Sequence, residues 1–216
     1  MFTRRTIIAT AGATITGALA GCASQAIPDE FEATAATVST DALDTTGYED
    51  QGTQPQETTR EFQAGGDTQT VTVTNYQSSY DKPVTLPGAQ SVRAAQFVVL
   101  SSPQISVLGQ EFNPINDWGH REFVTQLQSE SDRLGDLQQT DEAQTTLLGE
   151  TATVGRYTGQ ATYEDLETPI DIVMRASAPV SDGGDFILAA GSYPAGTAET
   201  EAPNVDTLFG AVVHET

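Results

Sequence analysis

The sequence predicts an α+β domain in which a single antiparallel β-sheet carries one central helix and one C-terminal helix. Residues 169–178 alternate apolar and polar side chains, which is typical of a strand with one buried face. Residues 203–213 place apolar side chains at helical spacing. Strand-like stretches follow one another instead of alternating with helices, and this grouping favours an antiparallel sheet with segregated helices.

The first part of the domain is expected to contain a strand, a short helix and a hairpin. The strand covers 31–38, and the helix covers 41–46, with Thr40 as its cap and Gly47 as its end. The hairpin joins 57–63 to 68–76 through the turn Ala64-Gly65-Gly66-Asp67.

The middle of the chain is expected to contain a loop, a buried strand and the central helix. Residues 81–90 hold Pro83, Pro87 and Gly88, which predicts a loop. The strand 91–101 ends in the apolar run 97–100, and 104–108 either extends it or pairs with it. The central helix is expected from Trp118 to Leu134, capped by Asn116 or Asp117, with Phe123, Leu127 and Leu134 on one face.

The last part of the chain predicts three strands and the final helix. The strands cover 150–163, 169–178 and 186–193, with a turn at 181–184 before the third. The final helix covers 203–213 and begins at Pro203, the position where a helix tolerates proline best. Because no internal repeat or second domain boundary is visible, 31–216 is expected to be one domain.

The chain is strongly acidic, with 30 acidic and 9 basic residues and a formal charge of -21. Nucleic-acid binding is excluded as a main function, because no basic stripe is present to displace counterions from phosphates. The acidic residues are dispersed, which indicates a generic surface suited to high salt, where screening weakens their repulsion. A specific cation site at Glu164, Asp165 and Glu167 is the alternative.

The first 22 residues look like an export and lipidation signal. Arg4 and Arg5, followed by an uncharged stretch, resemble a twin-arginine signal, and Leu19-Ala20-Gly21-Cys22 resembles a lipobox. The resemblance implies a signal peptide at 1–21, a lipidated Cys22 with a short tether at 22–30, and a place on the extracellular face of the cell membrane. An uncleaved membrane anchor and a chance match are the alternatives.

Side chains suited to catalysis are few. The chain has two histidines, of which His214 is expected to fray near the terminus, leaving His120 as the one plausible general base. His120 could lie with Asn113, Asp117 and Trp118 on a ligand or partner surface, or simply face solvent in the first turn of the helix. No nucleophile signature, cofactor motif or metal-ligand spacing accompanies it, so no catalytic residue, metal or cofactor is predicted.

From Phe31 onward the chain resembles a family of haloarchaeal lipoproteins that contain a domain of unknown function. The resemblance rests on 31–33, 73–76, 97–103, 107–109, 113–114, 147–149, 193–194 and 212–214. The order of the strands also resembles the layout of the photosystem II P-protein and Ran-binding folds, which implies a non-catalytic adaptor. No active-site residue is implied by either resemblance.

These observations predict a lipid-anchored, monomeric binding or assembly module outside the cell. Its expected partners are membrane lipid through Cys22 and an unidentified protein or small molecule, engaged by loops such as 81–90 or 113–120. A small surface hydrolase that uses His120 and a cation-binding surface protein are the alternatives.

Overall fold

The computed structural model describes residues 28–64, 67–86, 91–107, 110–163, 166 and 168–215. The export motif at Arg4 and Arg5, the lipobox 19–21, Cys22 and the acidic group at 164, 165 and 167 lie outside the described residues. The described part is mostly sheet with three α-helices.

The strands of the described part, in chain order, are β1 (Glu30–Glu32), β2 (Ala36–Val38), β3 (Glu49–Ala64), β4 (Asp67–Thr85), β5 (Ser91–Pro103), β6 (Ser106–Val107), β7 (Gln110–Glu111), β8 (Gln138–Leu147), β9 (Glu150–Ala161), β10 (Ile170–Ser177), β11 (Val180–Asp182), β12 (Asp185–Pro194) and β13 (Val212–His214). The helices are α1 (Thr40–Thr46), α2 (His120–Glu130) and α3 (Ala198–Gly210), with 3-10 turns at Pro114–Asp117 and Ala195–Thr197.

One nine-stranded sheet forms the body of the domain. Its main path runs β3-β4-β5-β12-β10-β9-β8, with β11 pairing β12 and β1 lying parallel beside β4. The other pairings in this sheet are antiparallel. The expected single antiparallel sheet is therefore too simple, because β2 pairs with β13 and β6 with β7 in two further small sheets.

The two long helices cover opposite faces of the nine-stranded sheet. On the α3 face, Phe209 packs edge-on against Phe97 of β5, with ring centroids 5.3 Å apart. On the α2 face, His120 lies against Gly155 of β9. A side chain on one strand shares its face with its cross-strand partner, so the register assigns the sheet residues to one face or the other.

The central helix is shorter than the sequence predicts. Residues 114–117 form a 3-10 turn, Trp118 and Gly119 are extended, and α2 begins at His120 with Gly119 as its cap. The Glu122 carboxylate accepts the Gly119 N–H at 2.8 Å and lies near the positive end of the helix. This contact lowers the pKa of Glu122. Asn116 and Asp117 lie in the 3-10 turn before the helix, so the prediction that one of them caps it is wrong.

The predicted loop at 81–90 is wrong for its first five residues, because β4 continues to Thr85. Pro83, one of the residues that suggested a loop, lies within β4 at a position that needs no backbone donor. The pairing of β3 with β4 ends at Asp81, so Pro83 needs no donor on that side, and a register shift between Lys82 and Pro83 accommodates it against β5. Residues 87–90 lie outside the described part of the chain.

The C-terminal segment also differs from its prediction. The final helix begins earlier, at Ala198, with Pro203 inside it, and Val212 and Val213 belong to β13 rather than to the helix. His214 does not fray, since its side chain is fully buried and its ring nitrogens lie 2.8 Å from Asp182 and 3.1 Å from Asp185.

The Asp185 carboxylate also accepts the Thr34 N–H at 2.8 Å, so one side chain joins the two ends of the domain. Burial raises the pKa of Asp185, although the Thr34 N–H and His214 act in the opposite direction. The expected strand 31–38 is divided between β1 and β2 in the same region, because β1 pairs with β4 whereas β2 pairs with β13.

Candidate functional site

A cavity of about 410 Å³ lies between the α2 face of the sheet and the end of α2. Its volume falls in the range of small-molecule sites. It is lined by Gln56, Gln77, Gln96, Val98, Leu127, Glu130, Ser131, Arg133, Leu134, Ala161, Thr162, Tyr163, Met174, Ala190, Gly191 and Ser192.

The polar part of this cavity is a row of three glutamine amides. Gln56, Gln77 and Gln96 stand on the neighbouring strands β3, β4 and β5. The Gln56 amide donates from Nε2 to Oε1 of Gln77 at 3.0 Å. An amide carries both donors and an acceptor, so the row can form hydrogen bonds with either kind of polar group.

The apolar part of the cavity comes from the helix side and from the centre of the sheet. Leu127 of α2 and Leu134 after it pack against the main core, as does Val98, and Met174 of β10 is buried in that core. The flexible, polarisable methionine side chain can adjust its shape to a bound molecule. The cavity therefore offers an amide row and an apolar surface in one space.

A second cavity of about 160 Å³ adjoins the first, because both are lined by Gln56 and Glu130. Asn113 and Trp118 line this smaller cavity, together with Asn75 of β4. The Asn75 Oδ1 atom is buried and accepts no hydrogen bond from the part of the chain that the structure describes. A buried polar atom without a partner costs free energy, and a bound molecule that donates to it would remove that cost.

The four residues predicted as a ligand or partner surface are placed differently from one another. Asn113 is buried and structural: its amide donates to Ser102 Oγ at 2.8 Å and to the Pro103 carbonyl at 2.7 Å, and its oxygen accepts the Ile115 N–H. Trp118 is half-buried at the smaller cavity, and Asp117 is exposed.

His120 lies apart from these residues in a polar chain that runs from the buried Tyr157 to the exposed Glu142. Its Nδ1 is 2.6 Å from the Tyr157 hydroxyl and its Nε2 is 2.9 Å from Glu142. A neutral imidazole satisfies both contacts when Nε2–H donates to the carboxylate and Nδ1 accepts the hydroxyl proton. Burial raises the pKa of Tyr157, while Arg121 lowers it.

The hydrolase alternative needs His120 to meet a substrate as well as a carboxylate. Glu142 supplies the carboxylate, but the Tyr157 hydroxyl that completes the chain belongs to a side chain only 3 % exposed. His120 is also absent from the lining of the two cavities on its face. The arrangement instead attaches the start of α2 to β8 and β9.

The glutamine row and Met174 were missed by the sequence analysis. Along an isolated strand, a polar side chain over a cavity gives the same alternation as one in solvent. The one signal was Gln96, a polar residue between the apolar Ala95 and Phe97, which marks the face without showing what covers it.

Within the described ranges, no helix is long and apolar enough to cross a membrane. The same residues contain no cluster of three or more His, Cys, Asp or Glu side chains suited to holding a metal ion.

Together, the two-faced sheet and the cavity under α2 define an α+β domain with a ligand-sized site. The chain belongs to the DUF6517 family, described as a domain of unknown function, whose family model matches residues 35–213. No curated protein matches the chain.

The chain is also similar to the solution structure of cyanobacterial PsbP (CyanoP) from Synechocystis sp. PCC 6803. The two are 14 % identical over 92 % of this chain and 100 % of that one, with a TM-score of 0.39. A likeness at this TM-score carries no functional implication.

Proposed function

We propose that this domain is a binding module whose cavity under α2 takes a small, uncharged molecule with one polar and one apolar side. The observation that supports the proposal is the glutamine row facing Leu127, Leu134 and Met174 across about 410 Å³. Binding sites of this size combine an apolar wall with a few placed polar groups, which orient the ligand.

The charges around the cavity favour an uncharged ligand. The lining contains one carboxylate, on the exposed Glu130, and one guanidinium, on the exposed Arg133. The remaining polar lining consists of amides, hydroxyls and backbone, none of which compensates a buried charge as an ion pair does. A charged group placed among these amides and hydroxyls, away from the exposed Glu130 and Arg133, would therefore lose its hydration without a matching partner.

Filling the cavity with Gln96→Trp is expected to weaken binding of the uncharged dye Nile red at least tenfold. Gln96 is exposed at the cavity, so the indole can occupy the space without disturbing the core. The matched control is Gln144→Trp, an exposed glutamine on the distant edge strand β8. The measurement is a fluorescence titration of the dye, with circular dichroism to check folding.

Equal weakening in the two variants would contradict the cavity proposal, as would the absence of saturable dye binding to the unmodified protein. If Gln96→Trp fails to fold, Leu127→Gln provides a second variant, because it makes the helix side of the cavity polar. Unchanged dye binding in that variant would also count against the site.

We also propose that the chain is a lipoprotein held at the extracellular face of the membrane through Cys22. The motif at 19–22 and the adjacent arginines Arg4 and Arg5 support this proposal. Two acyl chains on one cysteine give stable anchoring, because each buried methylene contributes about 0.8 kcal/mol.

Cys22→Ser is expected to move the protein from the membrane fraction to the soluble or unprocessed fraction, because serine cannot carry the thioether-linked lipid. Ala23→Ser places the same new side chain one residue later and is expected to remain in the membrane fraction. The measurement is ultracentrifugal fractionation with mass spectrometry of the amino terminus. A Cys22→Ser protein that remains membrane-bound with the wild-type mass would contradict lipidation.

Salt adaptation is proposed on the charge alone. Without residues 1–21 the chain retains seven basic and 30 acidic side chains, a formal charge of -23 over 195 residues. Self-repulsion of this size opposes folding at low ionic strength and is screened within about 3 Å in 1 M salt. The proposal implies greater stability in molar salt.

A further inference from the structure

Two arginines lie side by side on the α3 face, opposite the face that holds the cavity under α2. Arg156 of β9 and Arg175 of β10 are direct cross-strand partners. Like charges placed directly opposite each other destabilise a sheet. Only seven basic side chains follow residue 21, and two of them meet here, with Asp141 as the cross-strand neighbour of Arg156 on its other side.

Both arginines line a cavity of about 240 Å³ beneath the first half of α3, where Ala202 covers it. Tyr193 of β12 also lines this cavity, although its side chain is only 1 % exposed. Among the described residues, Tyr193 takes part in no side-chain hydrogen bond. Burial raises the pKa of Tyr193, and both arginines act in the opposite direction, so its hydroxyl lies within their electrostatic reach.

Two carboxylates, Asp141 and Glu142, also line this cavity, and each forms a contact of its own, as does the neighbouring Asp206. Asp206 of α3 forms an ion pair with Nη1 of Arg175. The Glu142 carboxylate turns to the other face and contacts His120 at 2.9 Å. Asp141 is the cross-strand partner of Arg156 at the exposed edge of the sheet, and its carboxylate accepts the Glu142 N–H at 2.8 Å.

The guanidinium of Arg156 keeps most of its donors free for a ligand. Its one side-chain hydrogen bond within the described residues runs from Nη1 to Thr140 Oγ1 at 3.1 Å. The Arg175 guanidinium lies 5.8 Å from the centre of the Phe209 ring, which holds it in place beneath α3. Each guanidinium has five N–H donors, so the residues that line this small space include two guanidinium forks and one tyrosine.

We propose that Arg156, Arg175 and Tyr193 form a binding site for a small oxyanion, a group in which at least two oxygens share the negative charge, such as phosphate or a carboxylate. Guanidinium forks match such groups through paired hydrogen bonds, and this match distinguishes them from chloride, which has no such geometry. The site is distinct from the cavity under α2 and does not depend on what binds there. The volume of about 240 Å³ is sufficient for a compact anion.

The test is isothermal titration calorimetry of the purified full chain with inorganic phosphate and, separately, with succinate, in a constant background of 2 M sodium chloride. We expect saturable binding of at least one anion. Arg156→Gln is expected to weaken it tenfold or more, since Arg156 supplies donors without an ion pair of its own. Tyr193→Phe, which removes only the hydroxyl, is expected to weaken it at least threefold.

Arg121→Gln is the matched control, because Arg121 is exposed on α2 and donates to Gln139 at 2.6 Å. Its affinity is expected to equal that of the unmodified protein. Preference for phosphate or for succinate identifies the oxyanion. The proposal is overturned if neither anion binds saturably, if Arg156→Gln binds as tightly as the unmodified protein, or if Arg121→Gln weakens binding equally. If Arg156→Gln does not fold, Tyr193→Phe decides between these outcomes.

Discussion

Lys82→Met is expected to destabilise the domain by about 3 kcal/mol, because it leaves the buried carboxylate of Glu201 without its cation. Lys82 is the one lysine of the chain, and its Nζ lies 2.8 Å from Glu201 Oε1. The Glu201 side chain is 3 % exposed in the first turn of α3, and the Asn204 amide donates to its second oxygen at 3.1 Å. The measurement is urea unfolding at constant molar salt.

Two further variants separate a broken buried ion pair from the loss of a lysine side chain. Lys82→Met combined with Glu201→Met removes both charges and is expected to recover most of the loss, since apolar replacement of a whole buried pair is often neutral. Arg93→Met breaks the surface ion pairs of Arg93 with Glu49 and Asp81 and is expected to cost less than breaking the buried pair. Equal losses in Lys82→Met and Arg93→Met would contradict the buried-pair interpretation.

The sequence predicted the centre of the sheet well because that part of the fold is determined by local hydrophobicity. The alternation at 169–178 and the apolar run at 97–100 correspond to β10 and β5, and the strands expected at 150–163 and 186–193 are confirmed as β9 and β12. These strands lie side by side in the middle of the sheet, where both faces are covered.

The edge of the sheet and the C-terminal segment could not be predicted, because they are held by contacts with distant residues and carry no hydrophobic alternation of their own. β8 was missed entirely: it is an edge strand, and most of its side chains are exposed on both faces, so no apolar alternation marks it. The burial of His214 depends on Asp182 and Asp185, about 30 residues away in the chain. A position near the terminus predicts fraying only when no such partner exists.

Two of the four residues expected on a ligand or partner surface line a cavity. Asn113 and Trp118 were selected from the segment 113–120 before the central helix, and both line the smaller cavity. The three glutamines line a cavity because the end of α2 and residues 131–134 lie above them. This contact is between strands β3, β4 and β5 and a helix that comes later in the chain, so the local sequence pattern of the strands could not predict it.

Gly155→Ala is expected to destabilise the domain by roughly 2 kcal/mol, because a Cβ atom at this position would overlap the side chain that attaches α2 to the sheet. The added carbon would lie 2.3 Å from His120 Nδ1 and 2.8 Å from Tyr157 Cε2, both shorter than van der Waals contact. Urea unfolding again measures the loss. Gly196→Ala is the matched control, since a Cβ there meets nothing within 4 Å, and it is expected to change stability little.

The same substitution shows whether the polar chain of His120, Tyr157 and Glu142 is a structural attachment. If the ring of His120 causes the overlap, His120→Ala and Gly155→Ala together destabilise less than the sum of the two single variants, because the first creates the space that the second fills. Strictly additive losses would mean that His120 does not lie against Gly155. Since α2 forms one side of the cavity, Gly155→Ala should also weaken Nile red binding, whereas Gly196→Ala should leave it unchanged.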